Sequence, residues 1–183
     1  MAENRRELIQ AVFHNEEVSR VPVGFWHHFL QDEVGADAWE RPKLTEKALA
    51  GQAAFYKEFP ADLIKIMTDG FFGYPHPLLK QKLEGPKDVI AITPLGKESD
   101  WFQAQIRYAK KLVETYGKEV PLFYNLFAVP RTIEFVQKNL GNAIDIADWL
   151  KKEPNKLAHV FDVISEDYAE LAKALIQEAG VDG

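Results

Sequence analysis

Residues 62–70 read Asp-Leu-Ile-Lys-Ile-Met-Thr-Asp-Gly, a short apolar run that ends on an aspartate and a glycine. Its length and its aliphatic composition predict a buried strand over 62–68. Two further runs of valines, leucines and aromatic residues occur in the chain. Residues 20–29 read Arg-Val-Pro-Val-Gly-Phe-Trp-His-His-Phe, and residues 120–127 read Val-Pro-Leu-Phe-Tyr-Asn-Leu-Phe. The sequence therefore predicts three strands of a buried sheet.

Helical patterns separate these strands. Apolar residues at offsets of three and four predict helices over 3–14, from Thr45 as N-cap to about 59, and over 99–116, 131–139, 142–151 and 154–179. The last helix has the longest apolar stripe, with Pro154 suited to its first turn and Gly180 to its end. Residues 80–98 are predicted to be irregular apart from a short strand at 89–92. Strands that alternate with helices indicate βαβ units and a parallel sheet.

Composition excludes several classes of protein. The 183 residues form one predicted domain, 1–183, and 46% hydrophobic against 27% charged residues is typical of a globular protein. A net charge of −6 argues against nucleic acid as a partner. The chain has no cysteine, which excludes disulfides and thiolate metal sites within it. We find neither a signal peptide nor a membrane span, so we expect a cytoplasmic protein without a membrane partner.

Three ordered stretches carry a resemblance to a known family. They are residues 20–26 after a short helix, residues 62–70 ending on Asp69-Gly70, and residues 121–132, Pro-Leu-Phe-Tyr-Asn-Leu-Phe-Ala-Val-Pro-Arg-Thr. In order and spacing they resemble the first three strands of the uroporphyrinogen decarboxylase family. The resemblance implies a partial (β/α)8 TIM-type barrel with an N-terminal helix and about three strand–helix units. Residues 179–183 are similar to the lead-in to the fourth strand, so we expect a chain truncated before the barrel closes.

In such barrels the active site lies at the carboxyl ends of the strands. That rule selects six residues after the three predicted strands: His27, His28, Asp69, Asn125, Arg131 and Thr132. By resemblance Asp69 is the catalytic residue, which contacts the pyrrole nitrogens and stabilises the positive charge that develops during decarboxylation. The residues alone leave open a simple Asp-Gly turn or cap. The other five residues are predicted to bind a carboxylated small-molecule substrate.

Each of these binding residues has an alternative interpretation. Adjacent histidines on a strand point to opposite faces, so at most one of His27 and His28 faces the site, and either could be a packed or hydrogen-bonded side chain. Arg131 could bind an anionic group or pair with a surface carboxylate, and Thr132 could be an N-cap or first-turn residue. Two positions differ from the family. Residues 26–31, Trp-His-His-Phe-Leu-Gln, replace its substrate-gripping arginine run, and Val136 replaces a tyrosine.

The resemblance implies three alternative functions. The first is a cofactor-free carboxy-lyase that acts on tetrapyrrole carboxylates in porphyrin biosynthesis. The second is a corrinoid-dependent methyltransferase, whose zinc ligands lie in the C-terminal half of the family's barrel, so that zinc or corrinoid would belong to a full-length parent. The missing arginine run favours this second branch or another branch of the family. The third is a catalytically silent piece that forms a homo-oligomer through its exposed barrel edges.

Overall fold

The computed structural model describes residues 4–183, which fold into a mixed α/β structure that is mostly helical. The elements, in chain order, are α1 (Arg5–Phe13), β1 (Gly24–Phe25), α2 (Pro42–Glu58), β2 (Leu63–Ile66), α3 (Asp100–Tyr116), β3 (Leu122–Tyr124), α4 (Val129–Asn139), α5 (Ile146–Lys152) and α6 (Pro154–Ala174). Short 3₁₀ turns occur at Ala38–Glu40, Pro77–Leu79 and Pro86–Asp88, and α6 continues as a π-helical turn over Leu175–Ala179.

The three strands form one parallel sheet in the order β1-β2-β3. Gly24 pairs with Leu63, and Ile64 pairs with Leu122. The helices α2 and α3 connect successive strands, as expected for βαβ units. One continuous apolar core includes the inner face of β2 and the buried stripes of α3 and α6. The predicted parallel α/β organisation is therefore confirmed.

The strands are shorter than predicted. For β1 the reason is that the backbone around it is not free to form further strand hydrogen bonds. The predicted strand over 20–29 is reduced to Gly24–Phe25. Pro22 has no N–H to offer a ladder, and the N–H groups of Phe29 and Leu30 donate to a side chain, that of Asp69. The predicted strand at 89–92 is wrong, since this segment makes turn hydrogen bonds instead.

Helix limits differ from prediction mainly at α2. The predicted N-cap Thr45 is wrong, because the helix already begins at Pro42, whose fixed φ suits a first turn. The Thr45 hydroxyl instead donates to the carbonyl of Ala38 at 3.1 Å. At the end of the chain, Pro154 does open α6, and Gly180 adopts the left-handed φ of 81° expected after a helix.

A buried carboxylate anchors the amino end of β2. Arg20 donates to both oxygens of Asp62 at 2.6 Å, and the backbone N–H of Val23 donates to the same carboxylate at 2.8 Å. The Asp62 side chain is only 4% exposed. These contacts tie the segment before β1 to the start of β2. The hydrogen bonds from Arg20, outweighing burial, hold the pKa of the Asp62 carboxyl below its ordinary value.

We expect Asp62→Asn to lower the free energy of unfolding by about 2 kcal/mol at neutral pH, because the enclosed side chain loses its charge-assisted hydrogen bonds with Arg20, which is itself 43% exposed. Since the folded pKa is depressed, this contribution is present above about pH 4, the ordinary Asp value, and is lost as pH falls through the folded pKa. Urea unfolding at several pH values measures it. The difference between wild type and Asp62→Asn should shrink in acid, whereas Glu58→Gln, an exposed control, should change little at any pH. A constant difference down to pH 2 would contradict this account.

Candidate functional site

The carboxyl ends of the three strands meet at one edge of the sheet, and Asp69 lies there, just after β2. Its carboxylate accepts hydrogen bonds from the backbone N–H groups of Phe29 at 2.5 Å and Leu30 at 3.1 Å, both through Oδ2. Its other oxygen, Oδ1, lies 2.8 Å from Nδ1 of His28. The Asp69 side chain therefore holds the segment that follows β1 against the end of β2.

The same contacts fix the orientation of His28. A carboxylate can only accept, so the bond between Nδ1 and Asp69 places the proton on Nδ1 and leaves Nε2 as the unprotonated ring nitrogen of the neutral imidazole. In residues 4–183, Nε2 has no hydrogen-bond partner. The His28 side chain is 46% exposed, whereas that of Asp69 is fully enclosed. In this arrangement the imidazole can reach a ligand, and Asp69 acts behind it as a positioning residue.

His27 lies apart from this pair. Its ring stacks on that of Phe55 in α2, with centroids 5.9 Å apart and an interplanar angle of 19°. It also meets the edge of Phe29 at 5.8 Å. The two adjacent histidines thus have different neighbours, and of the two only His28 contacts Asp69.

An aromatic cluster, Phe72, Phe127 and Phe135, extends from His28 along the strand ends. Phe72 is buried, and its ring centroid lies 6.2 Å from that of His28 and 5.8 Å from that of Phe135. Phe127 packs edge-on against Phe72 at 4.7 Å. The guanidinium of Arg131 sits 5.6 Å above the Phe135 ring and pairs with Glu134. Arg131 is largely exposed, so a positive charge stands at the far end of the cluster.

Asn125 and Thr132 occupy different depths. The carbonyl of Asn125 accepts a hydrogen bond from Thr68 at 3.1 Å, while its buried Nδ2 has no partner within residues 4–183. This amide is therefore an unsatisfied buried donor. Thr132 is fully buried in the first turn of α4, and its hydroxyl lies 2.8 Å from that of Tyr168. Thr132 therefore joins α4 to α6 and lies out of reach of a ligand at the surface.

Sequence reasoning missed a third buried carboxylate, Asp167. It accepts from the hydroxyl of Tyr74 at 2.6 Å and from the backbone N–H groups of Leu95 at 2.6 Å and Gly96 at 3.1 Å. Burial, together with the bond to Asp167, raises the pKa of the Tyr74 hydroxyl well above its ordinary value. A signal was present, since Asp167 falls between Ile164 and Leu171 on the apolar stripe of α6.

Zinc has no evident site in the described chain. Among residues 4–183, no three His, Asp or Glu side chains are grouped so that they could hold a metal ion. The loop residue His76 instead accepts a hydrogen bond from the N–H of Leu78, and burial lowers its pKa.

Over the same residues, no helix combines the length and apolar character needed to cross a bilayer. Comparison with protein-family models, with curated proteins and with solved structures found no match to this chain.

Proposed function

We propose that the chain is the N-terminal portion of a (β/α)8 barrel of the uroporphyrinogen decarboxylase type. Strand order supports this. The N–H of Asp182 donates to the carbonyl of Leu122 at 2.9 Å, and the N–H of Tyr124 donates to Gly183 at 2.7 Å. Residues 182–183 thus lie beside β3, where the fourth strand of a barrel belongs. In the common doubly wound order 3-2-1-4 that segment would lie beside β1 instead.

For the activity, we propose decarboxylation of a carboxylated small molecule, with tetrapyrrole carboxylates as the substrate class that the family resemblance suggests. The observation that carries this proposal is the His28–Asp69 pair at the carboxyl end of the sheet. An imidazole fixed by a buried carboxylate and open to solvent on its other nitrogen is suited to general acid–base catalysis. Barrel enzymes place such groups at this end of their strands.

The proposed chemistry needs one proton. Loss of CO2 breaks a carbon–carbon bond and leaves its electron pair on the substrate carbon, which must then be protonated. Protonated His28 donates that proton from Nε2, and solvent later replaces it. The Asp69 carboxylate accepts from Nδ1–H and so holds the ring with Nε2 directed towards the substrate carbon. The exposed Arg131 guanidinium, on exchanging Glu134 for the ligand, is the donor proposed to hold a remaining substrate carboxylate.

The test is anaerobic binding of uroporphyrinogen III to the 183-residue protein by calorimetry, with chromatography of the oxidised products to detect turnover. We expect saturable binding that His28→Ala weakens about tenfold, the equivalent of one charge-assisted hydrogen bond. His159→Ala, at an exposed position on α6, is the matched control and should bind like wild type. Because three strands do not complete a barrel, we expect no coproporphyrinogen. Absence of binding would contradict the proposal.

One observation favours the methyltransferase alternative. Residues 26–31 contain no arginine, so the bidentate grip on propionates that the resemblance implies is missing from this loop. The same calorimetric experiment with cobalamin in place of uroporphyrinogen separates the two functions. Cobalamin binding without uroporphyrinogen binding would assign the chain to the methyltransferase branch.

We also propose that two copies of the chain associate through the outer face of β1. Val21, Val23 and Phe25 alternate along this edge and are 80%, 45% and 48% exposed, and Trp26 beside them is 60% exposed. Residues 21–30 contain no Lys, Arg, Asp or Glu. Apart from the Lys65 ammonium, 4.8 Å from the centroid of the Trp26 ring, these residues carry no charge, so the edge can pair with its own copy about a twofold axis with little like-charge repulsion. This supports a second copy as the occupant of the face.

A further inference from the structure

A cavity of about 280 Å³ lies between the loop after β1, the segment after β2 and the end of α4. Its apolar walls include Trp39, Tyr74, Val136 and Leu140. The volume is just below the roughly 300–1,000 Å³ typical of small-molecule sites, so only a small ligand would fit. Neither His28 nor Asp69 lines this cavity, which is therefore separate from the pair at the strand ends.

One charged group on the cavity wall lacks a partner. Asp37 is half-buried, and within residues 4–183 its carboxylate makes no hydrogen bond and no ion pair. Burial first, and the nearby charge of Glu40 second, raise the pKa of this carboxyl. Lys80 also lines the cavity, but its ammonium lies 3.7 Å from Glu40 and is engaged there. The cavity thus presents a carboxylate without a hydrogen-bond or ion-pair partner, on which the charges of Lys80 and Arg41 act more weakly than burial does.

The backbone at Asp37 is unusual as well. Its φ of 45° and ψ of 58° fall in the left-handed region, which non-glycine residues seldom adopt. Such conformations persist only where surrounding structure imposes them, and they concentrate at ligand sites. Here the hydrogen bond from the N–H of Ala38 to the carbonyl of Gly70, at 2.8 Å, fixes the loop on the end of β2. The fold therefore holds the carboxylate against the cavity.

We propose that this cavity binds a small organic amine, with the ammonium group on Asp37 and the apolar body between Trp39 and Val136. A cation supplies the donors that the half-buried carboxylate lacks, and the indole face of Trp39 adds cation–π attraction. A neutral ligand of the same shape could donate a hydrogen bond to the Asp37 carboxylate but would bring no positive charge. An anion of that shape would meet like charge. The inference does not depend on the proposed decarboxylase activity.

Three ligands of one shape test this proposal by calorimetry on the 183-residue protein: benzylamine, benzyl alcohol and benzoate. We expect saturable benzylamine binding, about tenfold weaker binding of benzyl alcohol, and none of benzoate. Asp37→Asn should weaken benzylamine binding about tenfold and leave benzyl alcohol unchanged. Asparagine tolerates the left-handed backbone, so the variant should fold, as circular dichroism checks. Glu58→Gln removes one negative charge at an exposed position on α2 that does not line the cavity, and as the control it should leave benzylamine binding unchanged.

A second variant covers the case in which Asp37→Asn fails to fold. Val136→Phe leaves Asp37 intact and fills part of the cavity, and it should abolish benzylamine binding. Three outcomes would overturn the proposal: no saturable benzylamine binding, benzoate binding as tight as benzylamine, or unchanged benzylamine binding by either variant.

Discussion

Replacing Asp69 with asparagine inverts the tautomer of His28 while the fold survives. The Asn oxygen can still accept from the N–H groups of Phe29 and Leu30, as the carboxylate does. Its NH₂ group then faces Nδ1 of His28, which must become an acceptor, so the ring proton moves to Nε2. Long-range ¹H–¹⁵N NMR of the imidazole measures this change. An Nδ1–H tautomer in both proteins would contradict the assigned role of Asp69.

Asp69→Ala should have the larger effect on stability. It leaves two backbone N–H groups and the His28 ring without an acceptor at a site where the carboxylate is enclosed. At roughly 1–3 kcal/mol for each unsatisfied buried group, we expect a loss of about 4 kcal/mol in the free energy of unfolding, measured with urea. Asp162→Ala, at an exposed position on α6, should cost less than about 0.5 kcal/mol. Equal losses in the two variants would show that the Asp69 contacts add no stability.

The second large effect is expected on the dimer, from a substitution on the outer face of β1. We expect the wild-type protein to sediment as a dimer at micromolar concentration and Phe25→Lys to raise the dissociation constant about a hundredfold. The lysine charge would be desolvated at the interface and would face its own copy across the twofold axis. Ile176→Lys makes the same kind of change at another exposed apolar residue, 52% exposed, and should leave the dimer intact. A folded wild-type monomer would contradict the proposed association.

The sequence predicts which helices and strands form better than it predicts the residues at which each begins and ends. The stripes of α3 and α6 and the aliphatic run of β2 are strong periodic signals, and all three elements lie where they were expected. The strand β1 is different, because side chains decide where it ends. Asp62 holds the backbone before it, and Asp69 holds the backbone after it. A local pattern of apolar residues carries no information on such bonds between distant segments.

For the candidate site, too, the sequence predicts some features and leaves others undetermined. The rule that places active sites at the carboxyl ends of parallel strands selects His28 and Asp69. It does not say that Asp69 lies behind His28, since burial depends on how the loop after β1 packs. It also misses Asp37, which no strand end or helix pattern marks. Side chains that depend on loop packing are therefore the part of the site that the sequence leaves undetermined.

The central claim is that His28, fixed by Asp69, meets the substrate. The most direct measurement is an anaerobic titration of uroporphyrinogen III into ¹⁵N-histidine-labelled protein, followed by the imidazole resonances. We predict a saturable shift of the His28 Nε2 signal that Asp69→Asn reduces, with the exposed His159 unchanged. No shift at His28, or a shift shared equally by His27 and His159, would contradict the account.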